Sequence, residues 1–575
     1  MMQKRWLIKS AQNSTTVEDF RSEIKTDSIV AELLLQRGID SFERARDFFN
    51  PSLEQLHNPF ALLNMEKAVS LLDQSIENQN RILLYGDYDV DGTTAVSLLY
   101  NFLKEYTDRI DYYIPDRYKE GYGLSDQGVV FAIENNYDLV IALDCGIKAV
   151  EKVSRLKEAQ IDVIICDHHT PGEVIPDAIV LNPKQEKCNY PFKELSGCGV
   201  GFKLLDGWCV QKGVDKESLF SLLDLVAISI GADLVEVTGE NRILAFKGLE
   251  VLNANPRSAF RKMMEMAGRS FPLTLTDVVF TIAPRINAAG RISSGMEAVE
   301  LMTTASEEKI SIAAEQIQAY NTERRELDEG ITLEALKQIE NDPNFNQKKT
   351  TVVYNADWQK GVVGIVASRL VESHYKPTIV LTETDGVYTG SARSIEGVDV
   401  YEAIDSCADL LDRYGGHKYA AGLTISKDNL HAFIERFEKF VATHTTVELF
   451  NPQLTIDIEI NFDQIFKEGE DRMKIPRLKR ILSRFEPHGP GNMSPVFISS
   501  NVYTTEMRVL KEKHLKLNVT QPKSDVVLPA IGFNLFEKAD LVSSGIPFDL
   551  AYTIDVNKWN GKETIQLNIK DIREI

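Results

Sequence analysis

No stretch of this 575-residue sequence approaches the roughly 20 consecutive apolar residues of a membrane-spanning helix. The opening segment, MMQKRWLIKSAQNS, has no long apolar run after its basic residues and so lacks the pattern of a secretory leader. A cytoplasmic location with no membrane partner is the expectation. Cysteine is scarce and unpatterned: Cys145, Cys166, Cys188, Cys198, Cys209 and Cys407 form no Cys-x-x-Cys pair, which argues against a disulfide framework or a cysteine zinc site. Internal repeats and low-complexity tracts are missing too. The last deficit is positive charge, since 64 Lys and Arg face 85 Asp and Glu for a net charge of -21. Nucleic acid is bound through cations that displace its counterions, so a nucleic-acid ligand would require local positive charge. One candidate is KIPRLKRILSR (474–484), with Lys474, Arg477, Lys479, Arg480 and Arg484, which a solvated helix face explains equally well.

What is present divides the chain into several cores, as its length requires. From Arg81 onward, aliphatic runs end in acidic or glycine turns and are followed by amphipathic stretches: RILLYGDYDVDG, YDLVIALDCG, IDVIICDHH. Runs of this kind are strands of a parallel sheet buried on both faces, with the polar residues at their C-terminal ends, where open α/β sheets bind ligands. Residues 306–340 read as a long charged connecting helix, followed by a second α/β unit with strands TTVVYNA and PTIVLTE. After Asn451 and Pro452, segments such as QLTIDIEI and HLKLNVT alternate apolar and polar residues, the pattern of a small antiparallel barrel. The expected fold is α/β in two parts joined by a long helix, with a C-terminal OB-fold β-barrel. The expected segments are 1–60, 61–305, 306–340, 341–448 and 449–575.

The chemistry concentrates in YGDYDVDGTTA, where Asp87, Asp89 and Asp91 alternate after an apolar strand. Alternation in an extended turn can aim several carboxylates at one point, and such crowding is unfavourable unless cations neutralise it. An EF-hand loop is not matched, because the later ligands and the late Glu are missing. The next two strands end in Asp144 and in Asp167, His168 and His169. Carboxylate and imidazole together suit manganese or a similar ion, and several carboxylates can bridge a pair of ions in phosphoryl transfer.

GDYDVDG, LDCG, DHH and IGADLVEVTGENR resemble the four ordered motifs of the DHH phosphoesterase superfamily. The resemblance implies Asp89, Asp91, Asp144, His168 and Asp233 as ligands of two divalent ions, Mn2+ or Mg2+. Many members carry a histidine where this chain has Tyr85, and Asp87 is the residue that would take over that ligand role. His169 would act on the substrate phosphate as proton donor or oxyanion stabiliser, and Asp167 would orient a neighbouring imidazole.

Other segments are similar to the RecJ family of single-strand exonucleases within that superfamily. PDRYKEGYGL (Arg117, Tyr122) and RINAAGRI (Arg285, Asn287, Arg291) are similar to segments that approach the DNA strand, although Arg117 could equally belong to a surface salt bridge. YTGSARSIEGVDV and YGGHKYAAG resemble substrate-binding elements of the DHH-associated domain. Ser391 and Arg393 would hold a terminal 5′-phosphate, and His417 sits beside glycines that allow close approach or simply make a tight turn. The OB-fold would grip single strands, with Phe485, Phe497 and Tyr503 as candidate stacking aromatics that could as well be core.

The implied activity is 5′-to-3′ hydrolysis of single-stranded DNA to 5′-mononucleotides, in repair and recombination. A phosphodiesterase for short oligonucleotides or cyclic dinucleotides is the alternative, and a non-catalytic single-strand-binding scaffold a distant one. Expected partners are single-stranded DNA, with a single-strand-binding protein and a helicase, and a monomer is expected.

Overall fold

Residues 4–575, apart from 468, 473 and 560, are described by a computed structural model. They fall into two units: residues 12–321 with 481–494, and the residues up to 11 with 322–480 and 495–575. The first strand, β1 (Arg5–Ile8), belongs to the latter and pairs in parallel with Gln453–Ile456. The rest of the N-terminal segment, from Gln12, belongs to the former.

That former unit is built on β2 (Ile82–Gly86), β3 (Ile110–Tyr113), β4 (Leu139–Leu143), β5 (Asp162–Cys166) and β6 (Ile179–Leu181), all parallel, in the order β3-β2-β4-β5-β6. Every residue of β2 and β4 is buried, because apolar clusters cover both faces of the sheet. This is why ILLYG and LVIAL carry no polar alternation. The chain leaves β2 toward β3 on one side and later enters β4 on the other. The turns at the C-terminal ends of β2 and β4 therefore run apart and open a crevice.

The helices that bear on this crevice are α1 (Val90–Leu103), α2 (Val150–Glu158), α3 (Gly197–Lys212), α4 (Leu223–Asp233), α5 (Gly239–Ala254) and α6 (Ala283–Ile292). A π-helical turn, Val278–Ile282, precedes α6. From Leu223 to Gly231, α4 is buried along its whole length. It can lie so close to α5 because residue 248 is glycine: a Cβ there would sit 2.2 Å from the Leu223 carbonyl oxygen and 2.6 Å from Ala227 Cβ.

The connecting helix α7 (Glu307–Glu340) is 34 residues long, within one residue of expectation. The second α/β sheet comprises β7 (Thr351–Tyr354), β8 (Thr378–Thr384), β9 (Val387–Arg393), β10 (Arg413–His417) and β11 (Ala420–Ile425), ordered β10-β11-β9-β8-β7. Helix α8 (Val363–His374) packs on one face through Val363, Val366, Ala367 and Leu370. The C-terminal strands are β12 (Gln453–Ile456), β13 (Ile458–Glu459), β14 (Phe497–Leu510), β15 (His514–Thr520), β16 (Leu528–Gly532), β17 (Phe548–Trp559) and β18 (Lys562–Glu574). Pairing runs β14-β15-β16-β18-β17 and returns from β17 to β14, which closes a barrel of the OB type. Phe485 and Phe497 are fully buried and cannot stack on bases, while Tyr503 is half-buried. The exposed aromatics of the barrel are instead Phe533 and Phe536. Of the basic stretch 474–484, Arg477–Leu482 is α-helical and runs into a 3-10 turn, Ser483–Phe485, and Arg480 and Lys474 pair with Glu470 and Asp471. Among the described residues no helix is long and apolar enough to cross a membrane.

Gly248→Val forces α5 away from α4 and should cost about 1–3 kcal/mol, the usual range for overpacking. Because α4 ends in Asp233, the variant should also bind Mn2+ more weakly, which titration calorimetry on the folded protein measures. A variant with wild-type melting temperature and wild-type Mn2+ affinity would show that the helix contact does not position Asp233.

Candidate metal centre

The crevice at the ends of β2 and β4 is lined by acidic residues that reach it from different kinds of backbone. Asp87 follows β2 directly, fully buried, with Oδ1 accepting from the Gly123 N–H at 3.4 Å. The expected extended turn is short, because α1 begins at Val90. Asp89 is its N-cap, accepting from the Gly92 N–H at 3.1 Å, and Asp91 already lies in the first helical turn. Asp91 faces the start of α3: its Oδ2 accepts from the Gly197 N–H at 2.7 Å, and its Oδ1 from the Cys198 N–H at 2.8 Å and the Ser229 hydroxyl at 2.7 Å. A negative group is favoured at a helix N-terminus, so Asp91 also anchors α3.

Asp144 follows β4 in the left-handed region, at φ 59, an uncommon conformation for a non-glycine residue. Gly197 makes room for it; a Cβ there would meet Asp144 Cβ at 2.6 Å and Oδ1 at 2.7 Å. Asp233 is the last residue of α4, where the helix dipole disfavours a carboxylate.

At the end of β5, the buried His168 joins these groups. Its Nε2 lies 3.2 Å from Asp144 Oδ1, 3.5 Å from Asp233 Oδ2 and 3.8 Å from Asp91 Oδ2. Adjacent oxygen or nitrogen ligands of a six-coordinate ion with bonds of about 2.1 Å stand about 3 Å apart, the spacing seen here. Asp87 Oδ2, Asp144 Oδ1 and both His168 ring nitrogens are buried without a hydrogen-bond partner. Buried polar atoms are normally satisfied; here Asp144 with His168 and His169, and Asp91 with His168 and Asp233, each bring ligand atoms within 4.8 Å of one another, a donor set that fits a divalent cation.

Electrostatics agrees. Burial, then the neighbouring carboxylates, holds Asp87, Asp144 and Asp233 well above the usual carboxylate range, and burial raises Asp91. Burial also lowers the His168 imidazole. Asp167 behaves in the opposite way. Although burial opposes it, hydrogen bonds bring its carboxyl down to about 2. Oδ1 accepts from the His168 and His169 N–H groups and from His169 Nδ1 at 2.7 Å, and Oδ2 accepts from the Ile147 N–H at 2.9 Å. The imidazole it orients is therefore that of His169.

The remaining expected residues fall into two places. Tyr122 donates to the Asp144 carbonyl oxygen at 3.1 Å and lies 3.1 Å from His169 Nε2. The Arg117 guanidinium sits 4.3 Å above the Tyr88 ring, beside Asp87. Arg285, Asn287 and Arg291 are on α6, which approaches the same turn through Gly290; a Cβ there would lie 2.6 Å from the Tyr88 carbonyl oxygen. Arg285 donates to Gln318 Oε1 and the Thr281 carbonyl, and the Arg291 carbonyl accepts from the Tyr118 hydroxyl. Tyr85 is buried, donating to the Gly123 carbonyl at 3.0 Å.

In the other unit, strand register pairs His417 with Ala420 and Ala420 with Arg393, so Ser391, Arg393 and His417 share one face. Arg393 donates to Ser391 Oγ at 2.6 Å, and both lie against Gly364 at the start of α8. Sequence reasoning missed Gly197, Cys198 and Ser229, the partners of Asp144 and Asp91. The helix-start pattern Ser196-Gly-Cys-Gly was the available signal.

Family models match three stretches of the chain. The DHH family, N-terminal domain, matches residues 81–230, the DHHA1 domain residues 347–443, and the RecJ OB domain residues 456–571. The single-stranded-DNA-specific exonuclease RecJ of Bacillus subtilis (strain 168) is 34% identical over 573 residues, 99% of this chain and 70% of that protein. RecJ of Dickeya dadantii (strain 3937) is 31% identical, over 95% of this chain and 96% of its own. The crystal structure of RecJ in complex with Mn2+ from Thermus thermophilus matches with a TM-score of 0.85 at 27% identity, covering 100% of this chain and 80% of that one. The chain belongs to the RecJ family of the DHH phosphoesterases.

Proposed function

We propose that this protein is a metal-dependent 5′-to-3′ exonuclease that hydrolyses single-stranded DNA to 5′-mononucleotides in DNA repair and recombination. The observation that carries the reading is the cluster of Asp91, Asp144, His168 and Asp233, with Asp144 Oδ1 and His168 Nε2 buried without a hydrogen-bond partner, beside an imidazole fixed by Asp167. Support for the substrate comes from family membership, since the relatives are named single-stranded-DNA-specific exonucleases, and from the barrel, a fold that grips single strands.

Asp87, Asp89, Asp91, Asp144, His168 and Asp233 would hold two divalent ions, Mn2+ or Mg2+. Such ions lower the pKa of water and neutralise charge developing on phosphorus. The chain's own groups then position the strand. His169, held through Nδ1, turns Nε2 toward the scissile phosphate, where it donates a proton or stabilises an oxyanion. Tyr122 keeps that ring in place. Arg117 and the α6 residues Arg285, Asn287 and Arg291 contact the backbone of the strand, while Ser391, Arg393 and His417 hold its terminal 5′-phosphate. The protein works as a cytoplasmic monomer, with a single-strand-binding protein and a helicase as protein partners.

The test is incubation with Mn2+ and DNA labelled at either end. Release of the 5′ label first, as mononucleotide and from single strands only, is expected. Release of the 3′ label first contradicts the polarity, and preference for a dinucleotide or cyclic dinucleotide contradicts the substrate.

Asp144→Asn should cost more than the roughly 10–100-fold typical of altering an outer partner of a metal site. It should at the same time leave the metal-free melting temperature unchanged or raised, since it removes a crowded buried charge. Wild-type turnover in this variant would sink the mechanism.

The raised carboxyls also set a pH dependence. Between their unfolded values near 4 and their higher folded values, the metal-free native state binds more protons than the unfolded chain, so its stability falls as pH rises. Metal competes with the same protons. The gain in melting temperature from added Mn2+ should therefore be larger at about pH 8 than at about pH 5.5; equal gains would separate the ions from these carboxylates.

A further inference from the structure

Next to the metal ligands, the same unit has an opening that Tyr122, Asp167 and His169 share with the side chain of Lys148, which none of the roles above uses. It is a cleft of about 420 Å3 lined by Tyr122, Leu124, Ile147, Lys148, Asp167 and His169 among others. That size lies in the range of about 300–1,000 Å3 typical of small-ligand sites. Its lining is mixed, with one large aromatic ring, aliphatic side chains, an imidazole, the ammonium groups of Lys148 and Lys152 and the carboxylates of Glu151 and Asp167.

Lys148 stands apart from the other cations nearby. Lys152 and Arg155, on the helix that follows, both pair with Asp126. Lys148 is exposed, and among the described residues no carboxylate pairs with it. Its backbone is nonetheless fixed. Gly146 turns the chain at φ 108, and the Ile147 N–H then donates to Asp167 Oδ2 at 2.9 Å. The other oxygen of that carboxylate accepts from His169 Nδ1 at 2.7 Å. One carboxylate thus sets both the imidazole and the peptide that carries Lys148, so the distance between them is held by two short hydrogen bonds. In a chain of net charge -21, beside a cluster of carboxylates, a cation whose backbone is held near His169 and which pairs with no carboxylate among the described residues is placed to meet a phosphate.

We propose that this cleft seats one nucleotide unit, its base against the exposed ring of Tyr122 and a phosphate on Lys148. Lys148 then binds a backbone phosphate of that unit equally in the ground and transition states, so it holds the strand without aligning the reacting bond. The inference rests on the nuclease reading above. The same chemistry is offered by a residue of the bound strand and by the released 5′-mononucleotide.

The experiment compares wild type, Lys148→Ala and Lys148→Arg on a single-stranded oligonucleotide in Mn2+, with thymidine 5′-monophosphate as competitor. For Lys148→Ala, KM should rise roughly tenfold, the loss of one charge-assisted contact, with kcat at saturating strand within about twofold of wild type. The slope of log affinity against log salt should shrink by about 0.7, one phosphate contact on a single strand. Lys148→Arg should restore both. If the inhibition constant of the monophosphate rises as well, the cleft also holds the product; if it does not, the unit belongs to the strand alone. Wild-type KM and wild-type salt slope in Lys148→Ala overturn the proposal. Wild-type protein that binds the strand but does not cut it refutes the nuclease reading instead, and the salt slope of binding still decides the role of Lys148.

Discussion

Carboxylates brought together out of water repel one another and lose hydration, and proteins tolerate this only where something else compensates. Around the crevice between β2 and β4, protein groups compensate in part. Asp91 is satisfied by the first N–H groups of α3 and by Ser229, Asp89 caps α1, and Asp167 is surrounded by donors. Asp87 and Asp144 each keep a buried oxygen without a partner, and His168 has none on either nitrogen. The remaining deficit lies on one side of the site, and the space it faces is where cations would sit.

Much of the surrounding architecture follows from keeping that deficit in place. Asp144 adopts a left-handed backbone, and Gly197 gives up its side chain to let α3 approach it. Asp233 sits at the unfavourable end of α4, a helix buried along most of its length and pressed against α5 through Gly248. Each of these arrangements is costly by itself. Neighbouring helices and strands hold them all, which is how a rigid framework fixes reacting groups.

The carboxylate and histidine motifs are legible in the sequence because each lies within a few residues of a strand end, where local pattern and chemistry coincide. The long helix and the alternating strands of the barrel are legible for the same reason: their periodicity is local. Less visible is everything that depends on distant pairing. Asp91 meets Gly197 across 106 residues and Ser229 across 138; the helix-start pattern at Ser196 marks an N-terminus but does not say which carboxylate it meets. The Asp-rich segment reads as an extended turn, yet the helix starts at Val90 because Asp89 caps it. Burial decides the aromatics: Phe485 and Phe497 fill cores, and Phe533 and Phe536 are the rings left exposed on the barrel. Tyr85 points into the core beneath the sheet, its hydroxyl donating to the Gly123 carbonyl.

The pairing of β1 with Gln453–Ile456 has a bearing on how the chain is made. Arg5 and Gln453 are 448 residues apart, so at about 5–20 residues per second roughly 20 to 90 s pass between synthesis of one strand and of its partner. Throughout that interval β1 is an open edge carrying Leu7 and Ile8, both still 47% exposed in the folded protein. Open edges are templates for wrong pairing. A strand of four residues offers few hydrogen bonds to a stranger, and this brevity limits wrong pairing in the interval before Gln453–Ile456 is made.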